Sequence, residues 1–235
     1  MILKILNPNI LLQYLDKLLP FILVISCLIL SFGFLWALFI SPNDYQQGLM
    51  VKIMYLHVPS AWLSLGVYFF MTLMSIIYLV TKTPIAAIIA KAATPIGLMF
   101  TLVVLLTGVF WGRPMWGVWW VWDARLTSVL ILTFIYMGLI LIYRLENKQN
   151  KLLKIASFYT ILGFINIPVV KFSVDWWNTL HQPASILRLD GPSIHYTMLY
   201  PLILVFIGLC FLCLSFLTIA LKIEIMKSKL RKIKS

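Results

Sequence analysis

The 235-residue chain is 62% hydrophobic and only 11% charged, with a mean hydropathy of +0.99. A soluble domain carries roughly 45–50% apolar and about 25% charged residues, so a water-soluble globular fold is excluded. The net charge of +12 is the second departure, and its placement along the chain decides what it means.

Six long apolar runs follow one another: Leu18–Ile40, Trp62–Val80, Ala92–Trp111, Leu126–Tyr143, Leu152–Phe172 and Met198–Leu221. Each is close to the roughly 20 residues a helix needs to cross about 30 Å of hydrocarbon. Lipid cannot hydrogen-bond an exposed backbone, which makes helices the expected element. The runs predict a single all-α integral-membrane domain over residues 1–235 with six transmembrane helices. The first run has 23 residues, against roughly 7–15 for the apolar region of a cleaved signal peptide, and no A-x-A site follows it. It is expected to be retained. The three cysteines, Cys27, Cys210 and Cys213, fall inside these runs. Cys210-x-x-Cys213 has redox spacing, but low dielectric disfavours the thiolate that redox chemistry requires. Two small apolar side chains on one helix face is the preferred reading.

Six spans put both termini on one side. That side collects fourteen of the nineteen cations: Lys4, Lys17, Lys82, Lys91, Arg144, Lys148, Lys151, Lys154 and the six in the tail from Lys222 to Lys234. The other side has five, Lys52, Arg113, Arg125, Lys171 and Arg188. With Asp16, Glu146 and Glu224 counted, the first side carries +11 and the second +1. The positive-inside rule then predicts both termini in the cytoplasm. The basic residues lie in short juxtamembrane segments facing anionic lipid, with no groove-reading or base-stacking module beside them. Nucleic acid is therefore not an expected partner.

The same topology sorts two rarer residue types. All three histidines and all nine tryptophans fall in outer loops or at outer helix ends. An aromatic belt would use both interfaces. In the first outer region, Tyr55-Leu56-His57-Val58-Pro59-Ser60-Ala61-Trp62, Pro59 suits the first turn of a helix. His57 is then expected just outside the helix mouth. The third loop reads Trp111-Gly-Arg-Pro-Met-Trp116-Gly-Val-Trp119-Trp120-Val-Trp122-Asp123-Ala-Arg125. Gly112, Pro114 and Gly117 argue against a regular helix through its first part. As a helix the rest would align Trp116, Trp119, Trp120 and Asp123; as a strand, Trp116, Trp120 and Trp122. Either way it predicts an interfacial surface of rings beside Arg113, Asp123 and Arg125, suited to a large, flat, apolar ligand. A re-entrant loop that only anchors the bundle is the plainer alternative. In the last outer loop Trp177 and His181 are four apart, and on a continued helical turn they would share a face, with Pro183 ending it.

Neutral imidazole is the commonest metal ligand and a standard axial ligand of haem iron. Iron–nitrogen bonds of about 2.0 Å require two axial histidines to bring separate outer loops together across the ring. The tryptophans would cover the macrocycle. Its two propionates would need cations, for which Lys52, Arg113, Arg125 and Arg188 are the outer candidates.

At these residues the chain resembles the haem-handling membrane proteins of cytochrome c maturation that carry a tryptophan-rich WWD domain, and within them the six-helix haem exporter protein C (CcmC) family. Three stretches carry the resemblance: Tyr55–Trp62, Trp111–Ser128 and Val174–Gln182. It implies that His57 and His181 are the axial ligands of a transiently bound haem b, held as cargo at the periplasmic face of the bacterial inner membrane. It implies that the tryptophan stretch presents the porphyrin to a periplasmic haem chaperone, CcmE, with the ABC transporter proteins CcmA and CcmB and the small membrane protein CcmD as further partners. His195 matches no motif of the family and is expected to be structural or to neighbour a propionate.

Other classes fit less well. A b-type electron-transfer cytochrome usually carries its histidines within the spans, where none is expected here. A transporter or channel would show more polar or ionisable residues inside its spans; Asn166 next to the kinking Pro168 is the exception. No G-x-x-x-x-G-K-[ST] occurs, so ATP coupling would come from a partner. A haem–apocytochrome ligase of the same superfamily would be longer. No nucleophile–base pair or clustered carboxylates appear, which points to binding and delivery, not turnover.

Overall fold

The computed structural model describes residues 8–145, 149–183, 185–186, 188 and 190–234. Lys4, Glu146 and Lys148 of the charge balance lie outside them. The described chain is helical. Helix α1 spans Pro8–Leu35 and continues through a π-helical turn, Trp36–Ile40. A 3-10 helix, Leu49–Ile53, leads into α2, Met54–Thr81. Then come α3 (Pro84–Trp116), α4 (Ala124–Arg144), α5 (Gln149–Gly163), α6 (Asn166–Trp176) and α7 (Tyr196–Lys234). Six stretches are long and apolar enough to cross a membrane, the fifth formed by α5 and α6 together. The chain is a multi-pass membrane protein.

The helices outrun the apolar runs. α3 has 33 residues and so is about 50 Å long at 1.5 Å per residue, well beyond a hydrocarbon layer of about 30 Å. Its far turns stand at the bundle ends, where the unusual side chains are.

Without a hydrophobic driving force in lipid, helices associate through close packing at small residues and through interhelical hydrogen bonds. Both are present. α1 meets α7 where Ser26 Oγ donates to the Gly208 carbonyl at 3.1 Å and where a Cβ on Gly208 would lie 2.7 Å from Leu30. At mid-bundle, Tyr68 and Tyr136 pack edge to face at 5.2 Å, both fully buried. Tyr136 Oη donates to the Ser64 carbonyl at 2.8 Å. Its ring occupies the space that a side chain at Gly97 would need.

The fifth span is broken at Phe164–Ile165. Pro168 has no N–H for the Phe164 carbonyl, as a helix would require, and Ile167 N–H takes that carbonyl at 2.9 Å instead. Two hydrogen bonds tie the broken stretch to its neighbours, as interhelical hydrogen bonds do in lipid. Tyr68 Oη donates at 3.0 Å to the Thr160 carbonyl, which also keeps its helical partner Phe164 N–H at 3.1 Å, and Asn166 Nδ2 donates to the Ser128 carbonyl at 2.9 Å. The polar residue noted in this span is thus a splint.

The two ends of the bundle differ. At one, Lys91 pairs with Glu224 at 2.6 Å, Lys227 joins the same carboxylate at 3.2 Å, and Lys222 pairs with Asp16. The histidines and most of the tryptophans occupy the other.

Candidate functional site

The site is built where α2, α3, the segment 117–123 and the loop after α6 converge. His57 lies in the first turn of α2, half-buried, and not outside the helix mouth as expected. The 3-10 helix runs directly into α2, so the helix starts before Pro59, whose missing N–H costs only one intrahelical bond. One face of α3 forms the wall behind the ring. Thr107 Oγ1 is 2.9 Å from His57 Nδ1, Trp111 meets the imidazole edge to face at 5.6 Å, and a Cβ on Gly108 would come within 3.2 Å of His57 Cε1. Trp111 is itself fixed, its Nε1 donating to Gln47 Oε1 in the first loop at 2.9 Å.

The helix continues through Gly112 and Pro114 to Trp116, where a break was expected. It ends at Gly117, whose φ of 77° is the left-handed conformation that glycine accepts freely. Gly112 has a packing reason, since a Cβ there would lie 2.9 Å from the Trp116 indole. That indole contacts the His181 ring edge to face at 4.9 Å.

Segment 117–123 is neither helix nor strand. Arg113 turns back to donate to the Gly117 carbonyl and lies 5.5 Å over the Trp119 ring. Trp120 and Trp122 pack edge to face at 5.5 Å. The rings are presented outward, Trp119 being 55% and Trp122 75% exposed. Trp120 Nε1 is buried and has no partner among the described residues. An orphan buried donor is uncommon.

Asp123 closes the segment and does two things. Its Oδ1 accepts the Leu126 N–H at 2.8 Å and so caps α4. Its Oδ2 is 3.0 Å from His181 Nδ1. A carboxylate only accepts, which puts the proton on Nδ1 and leaves the Nε2 lone pair free. Burial lowers the His181 pKa below its ordinary 6.5, outweighing the opposing pull of Asp123. The ring is neutral at pH 7. The His181 backbone N–H donates to Thr179 Oγ1 at 3.1 Å. A local turn of this kind competes with helix, and α6 stops at Trp176. Trp177 is extended and packs on Trp176 at 5.8 Å, so the expected shared face with His181 is not formed.

The four candidate cations separate. Lys52 Nζ donates to the Ala37 carbonyl at 3.0 Å and to that of Ser41, capping the end of the first span. Arg113 is held at the α3 terminus. Arg188 is exposed, 3.9 Å from Asp190. Of the four, Arg125 is the one that lies near both histidines. It reaches Ser173 Oγ at 3.2 Å and the Lys171 carbonyl at 3.4 Å, and among the described residues no carboxylate forms an ion pair with it. His195 stays apart, 2.8 Å from Thr197 Oγ1 at the start of α7. Among the described residues no three His, Cys, Asp or Glu side chains form a metal cage.

Residues 1–235 match the family model for Heme exporter protein C, CcmC. The chain belongs to this family. Heme exporter protein C of Bradyrhizobium diazoefficiens is 44% identical over 97% of the chain and 86% of that protein. Heme exporter protein C of Haemophilus influenzae is 42% identical over 92% and 88% respectively. A putative cytochrome c biosynthesis ccmC-like mitochondrial protein of Marchantia polymorpha is 48% identical over 77% and 80%. In this heme exporter protein C family member, Thr107 and Gly108 were not among the sequence candidates. Within an apolar run they look like ordinary helix-packing residues, and only the fold brings them to His57.

Proposed function

We propose that this protein holds haem at the periplasmic face of the bacterial inner membrane between His57 and His181, and delivers it to the chaperone CcmE during c-type cytochrome maturation. CcmA, CcmB and CcmD are its expected partners in that complex. One observation carries the proposal. Two half-buried imidazoles, from α2 and from the loop after α6, stand against the same end of α3, one on Trp111 and the other on Trp116, each with Nδ1 already engaged. Fixing the far nitrogen of a ligand in this way orients the ring and sets its tautomer. The chain's other contributions suit a porphyrin. Exposed indoles offer flat apolar cover, the Trp120 Nε1–H, unpartnered among the described residues, is a donor for an acceptor, and Arg125 would serve a propionate. Arg113, Trp116, Trp119, Trp122 and Asp123 frame this surface. Trp177 and Arg188 are the remaining candidates for this surface.

Bis-histidine ligation predicts a low-spin, six-coordinate absorption spectrum for the purified protein. His57→Ala and His181→Ala should each abolish it. Intact low-spin haem in both variants would refute the ligand assignment.

A b-type electron-transfer cytochrome is the second reading, favoured by the position of His57 on an apolar helix instead of in a loop. The two part company on release. A carrier passes its haem to added CcmE, whereas an electron-transfer cytochrome keeps it through redox cycling.

A further inference from the structure

We propose that Thr107 is the positioning residue for His57, holding the imidazole with its proton on Nδ1 so that Nε2 faces the haem. The proposal rests on the haem-holding function above and deepens it.

The hydroxyl of Thr107 has one proton, and that proton is already committed. Thr107 Oγ1 lies 2.6 Å from the Val103 carbonyl one turn back, with the Val104 carbonyl at 3.3 Å. A carbonyl can only accept, so the hydroxyl donates there. What Thr107 offers His57 at 2.9 Å is then a lone pair, and the partner nitrogen must carry the hydrogen. Val104, Thr107, Gly108 and Trp111 share one face of α3. That face supplies the acceptor, the clearance beside Cε1 and the edge contact at 5.6 Å. Neither swinging the ring nor turning it over preserves all three.

His181 reaches the same tautomer through a carboxylate, Asp123. The two mounts are therefore alike in geometry and different in charge. A neutral hydroxyl leaves an imidazole less basic than a carboxylate does. Within the pair, His57 is the weaker donor to iron and His181 the stronger.

The test uses the full chain in detergent with 15N-labelled histidine. Three histidines give three imidazole patterns, assigned with His195→Ala and His181→Ala. On haem-free protein, His57 is expected as the Nδ1–H tautomer in the wild type and in Thr107→Ser, which keeps the acceptor. It should become a mixture in Thr107→Val, which keeps the shape and loses the acceptor. Haem titration should then show about 10–100-fold weaker binding for Thr107→Val, the usual cost of losing such a partner, with Thr107→Ser close to wild type. An Nε2–H tautomer in the wild type, or a Thr107→Val protein unchanged in both measurements, overturns the proposal. The nitrogen spectrum is read without haem, so the tautomer it gives for His57 stands whichever way haem binding falls. A wild-type chain that binds no haem sinks the proposed function instead.

Discussion

Asp123 shows how much one side chain can be asked to do. Both of its oxygens are used, one on the Leu126 N–H and one on His181. Asn keeps a single acceptor oxygen. In Asp123→Asn the amide can cap α4 or hold His181 Nδ1–H, but its second position can only donate. We expect Asp123→Asn to fold as stably as wild type by thermal melting, because Asn caps well, and to lose low-spin haem absorbance. Asp123→Ala should add a stability loss of about 1 kcal/mol from the missing cap. Equal haem spectra in Asp123→Asn and wild type would contradict the role given to Oδ2. At this scale the sequence was informative by residue type. His57, His181, Asp123 and the tryptophans could be picked out because they are rare in apolar surroundings. Four outer cations could not be ranked, since what separates Arg125 from Lys52 or Arg188 is which carbonyl or carboxylate has already claimed each one. Thr107 was invisible for a similar reason, as a threonine bonding one turn back looks like any other in a span.

At the scale of the elements, the bundle is organised by tyrosines that need glycines opposite them. Tyr136 fills the position where Gly97 has no side chain, and Tyr68 does so at Gly163. Tyr136 is fully buried, so its ring has nowhere to move. Gly97→Ala is therefore expected to cost about 1–3 kcal/mol through overpacking, read as a lower unfolding temperature in detergent. Tyr136→Phe should not rescue it, because ring carbons as well as the hydroxyl occupy the space a Cβ would take. An unchanged melting temperature for Gly97→Ala would mean that this contact is not held in the membrane. The six spans were legible in the hydropathy, since length and polarity alone define them. Their ends were not. Hydropathy falls at Trp111 and rises only at Trp62, while the helices run to Trp116 and start at Met54, because hydrogen-bonded turns persist past the apolar run. The break in the fifth span was legible in part. Pro168 and Asn166 marked it, but the Tyr68 hydroxyl that braces it comes from 92 residues away in the chain.

At the scale of the whole molecule, charge and chemistry are segregated to opposite ends. The Lys91–Glu224–Lys227 cluster and the Lys222–Asp16 pair occupy one end, and the histidines the other. Of the residues assigned to one side from loop charges, Lys91, Lys222, Lys227, Asp16 and Glu224 meet one another in pairs. A reporter active only outside the cytoplasm should work when inserted after Val118 and stay silent when fused to the C-terminus. The reverse pattern would invert the assigned orientation.

The two imidazoles are mounted on unlike supports. His57 rides on a continuous helix braced by α3, whereas His181 hangs from a short turn secured chiefly by one carboxylate and one indole edge. On the proposed function, a guest clamped between them would rest on one jaw braced along a helix and another braced at a few points. Entry and departure should therefore use the side of the His181 turn.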